Sequence, residues 1–393
     1  MAKTSVKLQF IPSTVEGKKG SIYYLIVRHG RVRRVASGLR CHKEEWVGNT
    51  CPGQRLQIGL DLYRLTAISQ RLERESGDYT ADNVATAFKR VSSPTSFFNF
   101  MRSVITQLDE MGKVRTCETY ISALHSFCTF RGGEDLSLGE ITAPLMCSYE
   151  AYLQGQRGLT RNTSSFYLRI LRAVYRRAID DSPVQGPNPF RRVYTGVDKT
   201  RKRAISLQGV KAIKRLRLYA PSKPMELARD LFLFSFYTRG MAFIDMAFLK
   251  KTDLTGGYLS YCRHKTGQRL TIKVEACMLE IILKYQSPAT PYLLPIIKTA
   301  GDAAHERKQY LNALRSTNFY LKKISKMAGT GRADLSTYAS RHSWASAAKG
   351  AGIPMAVISK GMGHDSEATT QIYLDAIDDS AVDKANKTIL AGL

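Results

Sequence analysis

The sequence predicts a mainly helical α+β fold, in which small β-sheets accompany the helices of three successive domains. Residues 5–37 alternate apolar and polar side chains, as antiparallel strands do. Residues 97–180 instead space their apolar side chains three or four positions apart, as amphipathic helices do. A chain of 393 residues is also too long for one ordinary core, so each domain is expected to bury its own.

The positive charge of the chain indicates which class of molecule it binds. The formal net charge is +26, and the 59 Lys and Arg residues are spread through the sequence. Such a field attracts polyanions. Nucleic acid is favoured over a membrane because the sequence has no basic amphipathic anchor, lipidation motif or long apolar span. Charge alone does not distinguish DNA from RNA, and a basic protein whose charge only keeps it soluble is the alternative.

The seven cysteines are scattered and never spaced C-x-x-C. This pattern predicts single buried thiols in a reducing cytoplasm, and favours neither a disulfide framework nor a zinc site. The first residues, MAKTSVKLQF, contain too short an apolar run for a signal peptide, so a soluble, cytoplasmic protein is expected. The sequence has no P-loop, no H-E-x-x-H and no acidic cluster with two-metal spacing, so we expect no cofactor and no metal.

Residues 1–91 form the first predicted domain, a small antiparallel sheet followed by two helices. Strands are predicted over residues 6–11, 21–27 and 31–37 with a His29-Gly30 turn, and helical spacing follows over residues 54–76 and 80–91. The hairpin carries four arginines: Arg28, Arg31, Arg33 and Arg34. A basic β-ribbon fits the major groove of DNA. Charges on an edge strand also prevent aggregation, and both interpretations stay open.

The second predicted domain, residues 97–196, is helical and follows a Ser-Ser-Pro-Thr-Ser linker at residues 92–96. Four helices are predicted, over residues 96–112, 116–132, 142–156 and 161–180. The last carries five arginines beside small polar residues: Arg161, Arg169, Arg172, Arg176 and Arg177, with Thr160, Asn162, Thr163, Ser164 and Ser165. That mixture suits phosphate contacts, although a solvated basic face is the alternative. His125 lies among apolar residues and is interpreted as packed rather than as a ligand.

The third predicted domain, residues 205–393, follows a basic run at residues 197–204 that we interpret as a linker. Helices are predicted over residues 206–219, 225–237, 275–285 and 303–327, and over most of 344–393. Short strands at residues 258–264 and 271–274 flank a Lys265-Thr266-Gly267 turn.

Five motifs in this last domain occur in a fixed order. They are Y-T-R-G-M-A-F-I-D at residues 237–245, H-K-T-G at 264–267, Y-A-S-R-H-S-W-A at 338–345, G-M-G-H at 361–364, and Tyr373 nine positions after His364. The set resembles the tyrosine site-specific recombinases, the phage-type integrase family, and especially the Bacteroides-type branch of conjugative elements and invertible loci. The resemblance runs from about residue 97 to the end and is most specific at the last three motifs.

This resemblance implies the activity and the domain roles. Residues 1–91 would be an arm-type domain, residues 97–196 the core-binding domain and residues 205–393 the catalytic domain. The implied enzyme cleaves and rejoins DNA through a covalent 3′-phosphotyrosyl intermediate on Tyr373, and so integrates, excises or inverts DNA. The transferred bond is conserved, so neither ATP nor a metal ion is required.

The resemblance also implies roles for three basic residues. Arg341 and His364 would donate to nonbridging oxygens of the scissile phosphate, where positive donors stabilise developing charge. Lys265 would protonate the leaving 5′ oxygen, which an arginine could not do near neutral pH. A surface arginine and a helix-capping histidine are the alternatives for Arg341 and His364.

The sequence departs from the family pattern at two positions. Ala242 stands where the family has an arginine; Arg239 lies three residues earlier and is the expected substitute, provided that the segment is helical. An arginine that caps the helix is the alternative. Tyr338 stands where the family has a histidine, and a phenol is a poor base near pH 7 because its pKa is about 10. Asp245 is expected to orient Arg239 or Arg341 by hydrogen bonding, His342 to be structural, and Trp344 to lie in the core.

The resemblance implies a homo-tetramer that acts on core sites in double-stranded DNA through a Holliday junction. An accessory DNA-bending protein is a candidate further partner. Apolar residues at helical spacing in 380–393 predict a helix that packs on a neighbouring protomer or on its own domain. Two other functions stay open: a type IB-like topoisomerase, and a DNA-binding regulator that has lost catalysis at Ala242 and Tyr338.

Overall fold

A computed structural model describes residues 4–75, 77–89, 96–180, 188–198, 204–217, 222–364 and Thr370. The chain forms two compact units, residues 1–199 and 200–393. Within the described ranges the fold is mainly helical with two three-stranded sheets, which confirms the predicted fold class. Among the helices described, none combines the length and the apolar character needed to cross a membrane.

The first sheet is antiparallel, with its strands in the order β1, β2, β3. The strands are β1 (Ser5–Ile11), β2 (Gly20–Arg28) and β3 (Arg31–Cys41). The β2–β3 turn places His29 and Gly30 at φ +48° and +72°, the left-handed values that a two-residue hairpin of type I′ requires. The sequence prediction of this hairpin is confirmed.

Helix α1 (Arg55–Glu75) joins two hydrophobic cores in the first unit. Its Leu65 and Ile68 pack with the sheet and with α2 (Ala81–Lys89), whereas Leu60 and Ala67 pack with the helices that follow. A buried ion pair reinforces the second contact, since Asp61 Oδ1 lies 2.8 Å from Nη1 of Arg102. The sheet and the helical bundle therefore share one helix.

The helical bundle follows the predicted segments closely. Its helices are α3 (Phe97–Glu110), α4 (Val114–Phe130), α5 (Ala143–Ala151) and α6 (Arg161–Asp180), and α5 continues into a π-helical turn at Tyr152–Gln156. Ser96 and Thr142 accept hydrogen bonds at the starts of α3 and α5, as N-cap residues do. Phe97, Phe127 and Leu168 lie in the common core.

The second unit is built around α8, which packs against α7, α10, α11 and α12. The helices are α7 (Leu207–Arg215), α8 (Lys223–Tyr237), α9 (Phe243–Ala247), α10 (Ala276–Lys284), α11 (Ala303–Met327), α12 (Thr337–Gly350) and α13 (Met355–Met362). The antiparallel sheet comprises β4 (Leu254–Thr255), β5 (Tyr258–Cys262) and β6 (Arg269–Lys273).

Two short elements of the second unit were not predicted. Strand β4 and helix α9 were not expected, because two and five residues are too few to show a period. The helical stretches predicted over most of 344–393 include the end of α12 and all of α13, and these two helices are separated where Gly352 is left-handed and Pro354 precedes α13. The predicted helix at 380–393 and most of the 197–204 linker lie outside the described residues.

The cysteines are unpaired but not all are single buried thiols. Cys41 and Cys51 lie together under the first sheet, where burial and a hydrogen bond to Cys51 raise the pKa of Cys41 to about 11. Cys262 is exposed. Cys41, Cys51, Cys117 and Cys128 are free and buried, as predicted. Cys147 and Cys277 are half-buried, so the prediction of burial is wrong for these two and for Cys262.

Candidate active site

A cleft of about 370 Å³ in the second unit brings together segments that are far apart in the sequence. Five residues of its lining are predicted from the sequence: Asp245, Lys265, Tyr338, Arg341 and His364. Ala242 and Arg263 also line it. Tyr373, the predicted nucleophile, lies outside the described residues.

Arg341 joins three of the motifs. Its side chain on α12 is buried and donates from Nη1 to the Gly240 carbonyl (2.8 Å) and from Nη2 to the Met362 carbonyl (2.6 Å). Nη2 also lies 2.9 Å from Nε2 of His364. A buried guanidinium with fixed donors is suited to holding an anion because its orientation is already set.

The position of His364 is set by the turn that precedes it. Gly363 adopts the left-handed conformation at the end of α13, and the His364 amide donates to the Ser359 carbonyl at 3.0 Å. Because arginine only donates, Nε2 of His364 accepts from Arg341, and Nδ1–H donates to Oγ1 of Thr370 at 2.8 Å. Burial, aided by Arg341, Arg263 and Lys265, lowers the pKa of His364 to about 4. The imidazole is thus neutral at pH 7.

Lys265 lies exposed at the tip of the β5–β6 hairpin. Two backbone hydrogen bonds close the tip: Arg263 donates to the Gln268 carbonyl at 2.9 Å, and Gly267 donates to the Arg263 carbonyl at 2.8 Å. The predicted K-T-G turn is confirmed, and Lys265 lines the cleft.

Asp245 fixes the hairpin rather than an arginine side chain. Its carboxylate is buried and accepts a hydrogen bond from the His264 amide at 2.8 Å. Burial raises the pKa of Asp245, while the His264 amide and the charges of Arg263, His264 and Arg341 oppose that shift. We predicted that Arg239 or Arg341 would donate a hydrogen bond to Asp245; in the structure the His264 amide donates to it instead.

The helical premise for Arg239 is wrong. Helix α8 ends at Tyr237, Arg239 and Gly240 have φ of +61° and +75°, and Ala242 precedes α9 as its N-cap. Arg239 and Ala242 therefore do not share a helical face. The Arg239 side chain instead runs toward Gly361, where a Cβ would lie 3.8 Å from its Cδ.

Arg263 is the site residue that sequence reasoning missed. It is 7% exposed, lines the cleft, and donates from Nη1 to the carbonyl of Gly363. The sequence carries no strand period that would have identified it, because Arg263 and Lys265 both lie in the loop between β5 and β6. The H-K-T-G motif begins one residue too late to include it.

Tyr338 lies at the start of α12 and is 41% exposed in the cleft wall. Its ring meets the His342 ring edge to face, with centroids 4.9 Å apart. Trp344, predicted as core, is half-buried and packs against Ala345, Ile358 and Met362.

The basic hairpin of the first unit divides into buried and exposed arginines. Arg28 is 4% exposed, donates from Nε to the Tyr79 carbonyl at 2.8 Å, and lies 3.5 Å above the Tyr79 ring. The interpretation of Arg28 as part of a groove-binding or solvated face is therefore wrong. Arg31, Arg33 and Arg34 are exposed, and Arg33 pairs with Asp82 at 3.0 Å.

The polar cluster on α6 is also partly structural. Ser164 and Ser165 are fully buried and donate to the carbonyls of Arg161 and Gly196, so they do not face a phosphate. Arg161 lies 3.7 Å above the Tyr194 ring and 3.4 Å from a carboxylate oxygen of Asp198. Only the exposed residues of the cluster, such as Arg176 and Arg177, remain candidates for phosphate contacts.

His125 is packed, as predicted. Its ring stacks on Tyr63 with centroids 3.7 Å apart and planes 6° from parallel. Burial, followed by the charge of Arg102, lowers its pKa to about 4.

The chain is similar to known recombinases in both sequence and fold. Residues 96–191 match the phage integrase SAM-like domain. Tyrosine recombinase XerC of Pelotomaculum thermopropionicum is 25% identical over 292 residues, which cover 70% of this chain and 91% of that protein.

Two solved structures share the fold at low identity. A lambda integrase tetramer bound to a Holliday junction has a TM-score of 0.56 and 15% identity, over 91% of this chain and 95% of that one. The Tn1549 transposon integrase in complex with a circular intermediate DNA has a TM-score of 0.57 and 14% identity, over 75% and 99%. This likeness agrees with a cleft in which the R-H-S-W, G-M-G-H and K-T-G motifs converge. In sequence and in fold, the chain is therefore similar to tyrosine recombinases and phage integrases.

Proposed function

We propose that this protein is a site-specific recombinase that cleaves and rejoins DNA strands through a covalent 3′-phosphotyrosyl intermediate. The observation that carries the proposal is the buried Arg341 guanidinium, which binds Gly240, Met362 and His364 and so unites three distant motifs in one cleft. Lys265 enters the same cleft from the hairpin. Such a collection of fixed donors suits a phosphodiester whose charge grows during transfer.

The chemistry that we propose is one reversible transfer. The phenolic oxygen of Tyr373 attacks phosphorus in line, the bond from phosphorus to the 5′ oxygen breaks, and the 3′ phosphate becomes esterified to the tyrosine. The phenol loses its proton, and Lys265 gives a proton to the departing 5′ oxygen. Attack by the 5′ hydroxyl of another strand reverses each step, so no energy source is consumed.

Arg341, His364, Tyr338 and Arg239 complete the proposed catalytic set. Arg341 binds a nonbridging oxygen through its guanidinium, which is buried in the wall of the cleft. His364 donates to a phosphate oxygen from Nε2, which requires the proton to be on that nitrogen and the Arg341 guanidinium to turn toward the phosphate. Tyr338 contributes a hydrogen bond from its exposed phenol. The left-handed turn leaves Arg239 as the weaker substitute for the arginine absent at Ala242.

We also propose a branch, a domain organisation and partners. The order of the motifs supports the Bacteroides-type branch, with residues 1–91, 97–196 and 205–393 as arm-type, core-binding and catalytic domains. Likeness to a lambda integrase tetramer on a Holliday junction supports a homo-tetramer on core sites in duplex DNA. An accessory DNA-bending protein is a further candidate partner. Seven unpaired thiols support a reducing, cytoplasmic environment.

A covalent-capture experiment tests the function. Purified protein is incubated with a library of nicked duplexes that carry a randomised core, and DNA that stays attached after denaturation is sequenced. We expect attachment of selected sequences in the wild type and none in Tyr373→Phe. Strand exchange between two recovered sites identifies a recombinase, whereas relaxation of supercoiled DNA without exchange identifies a topoisomerase. Binding without attachment would mean a non-catalytic regulator and would overturn the proposal.

A further inference from the structure

The candidate active site needs donors at more than one phosphate oxygen. A phosphodiester under in-line attack carries charge on two nonbridging oxygens, and each is stabilised by its own donors. Arg341 and His364 lie 2.9 Å apart and hydrogen-bond to each other, so they act at one position. A donor for the other oxygen must come from another element, and Ala242 in the cleft wall cannot provide it.

Arg263 enters the cleft from the β5–β6 hairpin and is held there by the turn that carries His364. Its Nη1 donates to the carbonyl of Gly363, next to the Met362 carbonyl that Arg341 binds. Gly363 lacks a side chain at this point, and a Cβ there would lie 3.0 Å from Cδ of Arg263. Arg341 and Arg263 therefore donate hydrogen bonds to two successive carbonyls of one turn, those of Met362 and Gly363.

The burial of Arg263 requires an anionic partner or a ligand. It is only 7% exposed, and an arginine so buried is normally paired. Among the described residues Asp245 is the nearby anion, and its carboxylate accepts a hydrogen bond from the His264 amide. One bond to Gly363 uses one of the five N–H donors of Arg263, which leaves donors for an anion in the cleft.

Arg239 is less well placed for the same task. Its side chain runs beside Gly361 near the Trp344 ring, and it is absent from the lining of the cleft. Arg263 shares that lining with Ala242, Lys265 and Arg341.

We propose that Arg263 is a catalytic residue that binds a nonbridging oxygen of the scissile phosphate, where it supplies the positive charge that Ala242 cannot. This inference rests on the proposed function of the cleft. Because Arg263 lies two residues before Lys265, one hairpin would present both the cation for the phosphate and the proton for the leaving oxygen.

The test compares two versions of one substrate, a nicked duplex recovered by covalent capture. One version has the ordinary scissile phosphate, and the other has a methylphosphonate, in which a methyl group replaces one nonbridging oxygen and removes its charge. The rate of covalent attachment is measured for wild type, Arg263→Ala, Arg239→Ala and the double variant Ala242→Arg/Arg263→Ala. Melting curves establish that each variant is folded. Arg263→Lys, which keeps the charge without the planar fork, takes the place of Arg263→Ala if the alanine variant does not fold.

We expect Arg263→Ala to lose about 100- to 1,000-fold in rate on the phosphate, the range found when one transition-state donor is removed. Its ratio of methylphosphonate to phosphate rates should exceed that of wild type, because the missing cation is no longer needed. The double variant should recover at least part of the phosphate rate, and Arg239→Ala, at the competing candidate, should raise the ratio less than Arg263→Ala does. If Arg263 only supports the fold, both substrates slow equally and the inference is overturned, as it is if Arg239→Ala alone changes the ratio. Absence of attachment in wild type would instead overturn the proposed function.

Discussion

Arg341 and Gly240 are in contact so close that residue 240 has no room for a side chain. A Cβ on Gly240 would lie 2.7 Å from Cα of Arg341, and the Gly240 carbonyl accepts a hydrogen bond from Arg341 Nη1 at 2.8 Å. Gly240 also has a φ of +75°, which side chains of L-residues rarely adopt. The glycine therefore fixes how deeply the arginine sits in the cleft.

Gly240→Ala should destabilise the protein by about 3 kcal/mol, the sum of the backbone strain and the overpacking. Attachment to DNA should fall as well, because Arg341 must move. Urea unfolding and covalent capture measure the two effects. Gly256→Ala is the matched control: Gly256 has a similar φ of +59° but nothing within 4 Å of a Cβ. That control should lose about 1 kcal/mol from strain alone. Equal losses in both variants would mean that the contact with Arg341 is unimportant.

Arg28→Ala should lower the free energy of unfolding of the first unit by about 3 kcal/mol, because the buried groups that Arg28 contacts would lose their partner. Arg28 donates to the Tyr79 and Gly77 carbonyls and pairs with Glu73 at 3.1 Å. Arg31, three residues on, is exposed, and Arg31→Ala should change stability by less than about 0.5 kcal/mol. Denaturant unfolding of the two variants measures the difference. If Arg28→Ala lowers the free energy of unfolding only slightly, Arg28 is not structural and is again a candidate for binding DNA.

The local elements were predictable from the sequence because their causes are local. The His29-Gly30 turn supplies two left-handed residues between alternating strands, and helices α3 to α6 follow an apolar period that each segment carries by itself. Most of the cleft lining was also predictable, because R-H-S-W, G-M-G-H and K-T-G are short motifs that can be recognised in the sequence one at a time.

The fate of single arginines was not predictable, because it depends on residues far along the chain. Arg28 is held by a carbonyl 51 residues away and Arg263 by one 100 residues away, and no local pattern separates them from solvated arginines. Arg239 was misjudged for another reason. The Gly that follows it signals the end of a helix, but two consecutive left-handed residues are set by the packing of Gly240 against Arg341.

His125 should make the stability of the first unit depend on pH. Burial, followed by the charge of Arg102, holds its folded pKa at about 4, below the value of about 6.5 in an unfolded chain. Between about pH 6.5 and pH 4, His125 is protonated in the unfolded state but not in the folded state. The free energy of unfolding therefore has its full value above about pH 6.5 and decreases as the pH falls toward 4. Unfolding midpoints between pH 7 and pH 4 measure the decline.

His125→Phe keeps a flat ring to stack on Tyr63 and should show a shallower decline than wild type. Carboxylates that titrate in the same range are common to both proteins, so the difference isolates His125. An unchanged slope in His125→Phe would contradict the assigned cause.

Lys265→Ala should reveal whether the hairpin lysine protonates the leaving oxygen. The side chain is exposed, so its removal should leave stability nearly unchanged while attachment slows by about 100-fold or more, as expected for loss of a general acid. A substrate whose 5′ oxygen is replaced by sulfur leaves as a thiolate, and a thiol pKa of about 8.5 makes an acid unnecessary. The variant should therefore regain nearly the wild-type rate on the sulfur substrate. Lys273→Ala, at an exposed lysine of the same hairpin, should behave like wild type on both substrates. A Lys265 variant that is equally slow on oxygen and sulfur would show that the lysine holds the DNA without transferring a proton.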